Sequence, residues 1–166
     1  MKISHTVEFP APPHEVFEML AEPRFQEAKC GATAALEHAV SVELSGERTI
    51  IKTERILPTR GLPDYAKSMV GETLKVGETQ DWGPAAADGS RHGTIDLEIH
   101  GAPLTLRGTV RLEPGGAGTV QHIDGDLKAK VPLFGGKIEQ AAAPPIEAAI
   151  EIEHQTGVKW LNGELS

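Results

Sequence analysis

TVQHIDGDLKAKVPLFGGKIEQAAAPPIEAAIEIEHQTGVKWL, residues Thr119 to Leu161, decides the architecture of this 166-residue chain. A strand-like run from Thr119 to Pro132 gives way at Leu133-Phe134-Gly135-Gly136 to one long segment of helical composition that continues to about Leu161. The paired glycines free the backbone for a sharp turn at that junction. Everything upstream reads mainly as short alternating strands. The sequence therefore predicts an α+β protein, one curved antiparallel sheet closed by a single late helix. Such an architecture favours a pocket over a catalytic motif.

Outward from that stretch, Ile3, His5, Val7 and Phe9 alternate with Lys2, Ser4, Thr6 and Glu8, the period-two pattern of a half-buried strand over Lys2 to Phe9. Pro10-Ala11-Pro12-Pro13 ends it, and proline is tolerated in the first helical turn that follows. Short helices are expected over His14 to Ala21, with Val16, Phe17 and Leu20 on the apolar face, and over Pro23 to Cys30, stopped by Gly31. Leu36 to Leu44 and Arg48 to Leu57 flank Ser45-Gly46-Glu47 as a hairpin. Pro58 to Gly71 is a long connection with a helix-compatible stretch, Pro63 to Val70, that reads as a flap. Further strands follow at Leu74 to Trp82, Gly93 to His100 and Leu104 to Glu113. No repeat or linker divides residues 1–166, so one domain is expected.

The net charge of -8 argues against nucleic acid as a partner and against unspecific attraction to anionic lipid. No apolar run approaches the ~20 residues needed to span a bilayer, so no integral membrane association is expected. The single cysteine, Cys30, has no intramolecular partner for a disulfide, and Met1 to Pro10 lacks the pattern of an export signal. A reducing, cytoplasmic setting follows.

The order of elements, with EFPAPPHEVFEML at 8–20, ETQDWGP at 78–84 and KAKVPLFGGKIEQ at 128–140, resembles the helix-grip fold of the START-like, birch-pollen-allergen-like superfamily. Within it, the chain is similar to the bacterial family called domain of unknown function 2505, and the likeness covers nearly the whole sequence. The resemblance implies a seven-stranded antiparallel sheet wrapped around a long C-terminal helix, two short helices after the first strand, and a cavity between sheet and helix. It implies no single chemistry: superfamily members bind lipids, hormones or polyketides, assist other proteins, or catalyse cyclisations.

Strand parity names the residues expected to face that cavity. Ile95, Leu97 and Ile99 share one face, as do Leu104, Leu106, Val110 and Leu112, and Ile123, Leu127, Ala129 and Val131. The opposite parity, Asp96, Glu98, His100, Thr105, Arg107, Arg111, Asp124, Asp126, Lys128 and Lys130, reads as a wet outer face with ion pairs worth ~1 kcal/mol or less each. Four polar residues break the apolar parity: His5, His38, Glu78 and Gln80, the last two in line with Leu74, Val76 and Trp82. A buried, unpaired polar group costs about 1–3 kcal/mol, so each should be paired, hydrated or set at a cavity. They could orient one end of a ligand in a mainly apolar site. On the last helix, Ile138, Ala142, Pro145, Ala149, Ile152 and Thr156 follow one face with little bulk, which leaves room; Pro144-Pro145 should kink that helix or break its hydrogen-bond ladder.

Enzyme signatures are largely absent: no nucleophile elbow, phosphate-binding glycine loop or zinc-binding histidine pair. Seven histidines are scattered without ligand spacing, so neither metal nor cofactor is expected. Cys30 reads as a small buried residue. The expected function is non-covalent binding of a small, mainly hydrophobic molecule, as carrier or sensor, by His5, His38, Glu78, Gln80, Trp82, Ile95, Leu97, Ile99, Leu106, Ala142 and Ala149. The alternatives are a cyclase or hydratase, in which Glu78 pairs with His5 or His38 as acid and base, and a protein-interaction module. Nothing in the sequence sets the oligomeric state.

Overall fold

The computed structural model describes residues 1–165. Strand β1 (Lys2–Phe9) is followed by helices α1 (Pro13–Leu20) and α2 (Pro23–Ala32) and the hairpin β2 (Glu37–Ser45) and β3 (Arg48–Pro58). Then come α3 (Asp64–Val70), the meander β4 (Thr73–Trp82), β5 (Arg91–His100), β6 (Leu104–Gly115) and β7 (Gly118–Ala129), and finally α4 (Gly135–Leu161). All neighbours pair antiparallel in one seven-stranded sheet of order β1-β7-β6-β5-β4-β3-β2. The sheet grips α4, which is the helix-grip fold the sequence resembles. β1 and β2 form the two edges, and α1 and α2 carry the chain between them.

Two clusters of buried side chains fix the sheet against the helices. One gathers Phe9, Val16, Phe17, Leu20, Phe25, Trp82, Val110 and Leu112, with Val158, Trp160 and Leu161 of α4 packed against it. The other gathers Ile3, Val76, Leu97, Leu104, Leu106, Leu127, Ala129 and Ala143. Close approach of α4 to β1 requires Gly157: a Cβ there would lie 2.7 Å from the Phe9 ring. The outer face carries the expected ion pairs, with Arg107 Nε 3.0 Å from Asp96 Oδ2 and Arg107 NH2 3.4 Å from Glu98 Oε1.

One expectation needs correction. The last strand stops at Ala129 rather than Pro132. Lys130 N donates instead to Pro103 O in the β5–β6 turn, and Pro132 has no N–H for a ladder. Leu133 then takes φ +68° and stands fully in solvent at 101% exposure, with Phe134 also exposed beside it. Pro144 and Pro145 lie inside α4, which runs for 27 residues. The prolines remove the donors that would reach the carbonyls of Gln140 and Ala141, a local loss that the anchored ends of a long helix tolerate.

Candidate functional site

A cavity of about 530 Å³ lies between the sheet and α4. Its sheet wall is built from Val76, Ile95, Leu97, Ile99, Leu104, Leu106, Ile123 and Ala129, which inward parity places on one surface. Its helix wall is the low-bulk face of α4: Ile138, Ala142, Pro145, Ala149 and Ile152 all line it, while Thr156 is buried beyond it. Slender side chains on that face keep helix and sheet apart without filling the gap. The connection after β3 borders one side through Leu62, Ala66, Met69 and Val70, so the flap does lie at the cavity. None of α3 is buried; Tyr65 ties it to α4 through a 3.4 Å hydrogen bond from its hydroxyl to Lys137 O.

The polar end lies on the α2 side and is a closed ring of four charges. Lys29 of α2 sits 3.4 Å from Glu78 Oε1 and 3.5 Å from Glu153 Oε2. Arg55 of β3 sits 3.3 Å from Glu78 Oε2 and 3.2 Å from Glu153 Oε1. Each cation thus bridges the same two carboxylates, one on the sheet and one on α4, and all four residues line the cavity. Gln80 Nε2 donates to Glu78 Oε1 at 2.7 Å, and Trp82 Nε1 donates to Gln80 Oε1 at 2.9 Å, so a relay from the core holds Glu78 from behind. Arg55 NH1 also donates to Thr33 Oγ1 at 3.2 Å, whereas its Nε is buried without a hydrogen-bond partner.

Burial alone would push the Glu78 carboxyl up, but Lys29 and Arg55 outweigh it and hold the pKa at about 2. Burial likewise pulls the Lys29 ammonium down, while Glu153 and Glu78 more than restore it, leaving it above the ordinary lysine value. The ring is therefore two cations and two anions at neutral pH. Cys30, next to Lys29, is buried and free, and burial pushes its thiol up. It is not an activated nucleophile. Among the described residues no group of three or more His, Cys, Asp or Glu side chains is placed to hold a metal ion.

Of the residues singled out by the sequence, Glu78, Gln80, Ile95, Leu97, Ile99, Leu106, Ala142 and Ala149 converge on the cavity. Three do not. His38 has the inward parity and pairs with Arg55 across the ladder, but β2 is an edge strand there and the side chain is exposed. His5, on the other edge strand, lies off the cavity against α4, with Nε2 4.0 Å from Glu151 Oε2. Trp82 is 0% exposed and packs edge-on to Phe17 in the core, reaching the site only through Gln80. Neither histidine meets Glu78, so the acid–base pair considered from the sequence does not form. Lys29, Arg55 and Glu153 went unread, although each had a signal: Arg55 shares parity with Ile51 and Thr53, Lys29 follows Phe25 by one helical turn, and Glu153 follows Ala149 by another.

Residues 4–161 match the family described as "Protein of unknown function (DUF2505)". An uncharacterized protein of Mycobacterium tuberculosis is 23% identical over 117 residues, which is 69% of this chain and 67% of that protein. Among solved structures, a STAR-related lipid transfer protein fragment from Xanthomonas axonopodis superposes with TM-score 0.59 at 9% identity, covering 94% of this chain and 85% of that one. The Zhui aromatase/cyclase of a Streptomyces species superposes with TM-score 0.53 at 15% identity, covering 99% and 92%. At these identities the structures establish the shared fold. No helix among the described residues is long and apolar enough to cross a membrane.

Proposed function

The chain belongs to the DUF2505 family, and from that footing we propose that it acts as a single START-like domain, a cytoplasmic carrier or sensor that binds a small, mainly hydrophobic molecule non-covalently between the sheet and α4. The observation that carries this reading is the cavity itself. Its volume of about 530 Å³ falls within the ~300–1,000 Å³ usual for small-molecule sites, and its walls are mostly apolar, with the charge ring at one end and Arg60 on the connection after β3. Affinity would come from burying ligand carbon, at roughly 25 cal/mol per Å² before the costs of binding. A lipid transfer protein and an aromatase/cyclase share the fold, and the polar end favours the first of these uses. Glu78 is locked as an anion between two cations, and a group held that firmly in one protonation state is a poor proton shuttle.

The test is uptake of a neutral apolar fluorophore, N-phenylnaphthylamine. Wild-type protein should bind it with enhanced emission. Ala149→Trp, which places an indole into the space opposite Ile95 and Leu97, should abolish uptake while leaving the melting temperature little changed. If the cavity collapses in solution, the same change instead overpacks a filled core and destabilises the fold by about 1–3 kcal/mol. An unaltered titration in the variant would rule out binding at this place.

A further inference from the structure

We infer that the cavity selects ligands whose polar end is uncharged, a hydroxyl, ketone or ester rather than a carboxylate. This rests on the binding reading above and adds the chemical class to it.

The ring at the polar end is balanced, Lys29 and Arg55 against Glu78 and Glu153, and each carboxylate already bridges both cations. A ligand anion arriving there would be a third negative charge facing two cations. It would lose its hydration on entry, and both Lys29 and Arg55 are already neutralised by carboxylates that are part of the fold. A neutral oxygen escapes both penalties.

The hydrogen bonds of the ring run among its own members and Gln80. Glu78 Oε1 accepts from Lys29 and Gln80, and Oε2 from Arg55; Glu153 Oε1 accepts from Arg55. Lys29 has three ammonium hydrogens for two carboxylate neighbours, and Glu153 Oε2 takes only a 3.5 Å contact from Lys29, so a donor and an acceptor both remain. A neutral oxygen can meet that donor without adding charge to the ring.

Displacement of N-phenylnaphthylamine by a matched set, decanol, methyl decanoate and decanoate, reads this directly at pH 7. The two neutral compounds are expected to compete about tenfold or more better than decanoate. In Glu153→Gln the ring carries a net positive charge, and its Lys29 and Arg55 donors are released. Decanoate should then gain about tenfold relative to decanol. Glu153 is the most exposed of the four at 19%, so this variant is expected to fold, which its melting curve checks. Equal or tighter binding of decanoate by the wild type would overturn the selection for a neutral group and leave the cavity reading intact. Unchanged discrimination in a folded Glu153→Gln would overturn the ring as its source. Failure of all three compounds to compete, with no uptake of the fluorophore, would remove the cavity reading and this inference together.

Discussion

Glu78 shows how one side chain can be read from sequence in part. Its place on the apolar parity of β4 marked it as a buried polar group in need of partners, and that much is visible in a single strand. Which partners it has depends on α2 and β3 crossing beside it, information that no local pattern holds. The outcome is a carboxylate whose pKa is depressed from an ordinary 4.5 to about 2. A depressed folded-state value means that the associated stability is fully present above about pH 4.5 and is lost as the pH falls toward 2, on the order of 3 kcal/mol. Glu78→Gln should remove that acid-sensitive part. Urea midpoints are expected to fall more steeply between pH 5 and pH 2 for the wild type than for the variant; parallel curves would contradict the assignment. At pH 7 the same variant should cost about 3 kcal/mol by leaving Lys29 and Arg55 with one carboxylate between them.

At the scale of elements, the helices carry the tests. Gly157→Ala adds a Cβ 2.7 Å from the Phe9 ring and 3.1 Å from Met19 Cε, both in the core. Alanine gains ~1 kcal/mol of helix propensity over glycine, and overpacking costs up to ~3 kcal/mol, so a net loss of about 1–2 kcal/mol in urea denaturation is expected. A more stable variant would show that α4 moves off β1 at no cost. The flap makes the opposite kind of prediction. α3 buries no residue, and its Tyr65 link to α4 is an exposed one, so local opening there is cheap. Amide exchange at Tyr65 to Val70 is expected to be fast and to slow when N-phenylnaphthylamine is bound. Protection equal to that of Leu104 to Leu112 in both states would remove α3 from the route into the cavity. Element identities came largely from periodicity and turn residues. The end of β7 did not, because Lys130 gives its N–H to Pro103 in the β5–β6 turn, a contact that no local pattern holds.

For the whole molecule, the late helix and the alternating strands were sufficient to anticipate a sheet closed over α4, and the seven strands came with the family resemblance. The inner wall followed from parity wherever a strand lies inside the sheet. It failed at His5 and His38, both on edge strands, where an inward-pointing side chain need not be covered. Even the space was partly legible, since the low-bulk run on α4 does face it; the charged end was not, because its four members are far apart in the chain.

Between its anchored ends, the stretch of α4 that faces the cavity presents small residues with little to grip on the sheet. Displaced by one turn in either direction, α4 would bring Ala149 or Gly157 to the place of Glu153. Lys29 and Arg55 would then be buried one carboxylate short, at a cost of several kcal/mol. The ring thus penalises a shift of α4 along the sheet, adding a charge lock on the stretch that lines the cavity to the packing of Val158, Trp160 and Leu161 at its end.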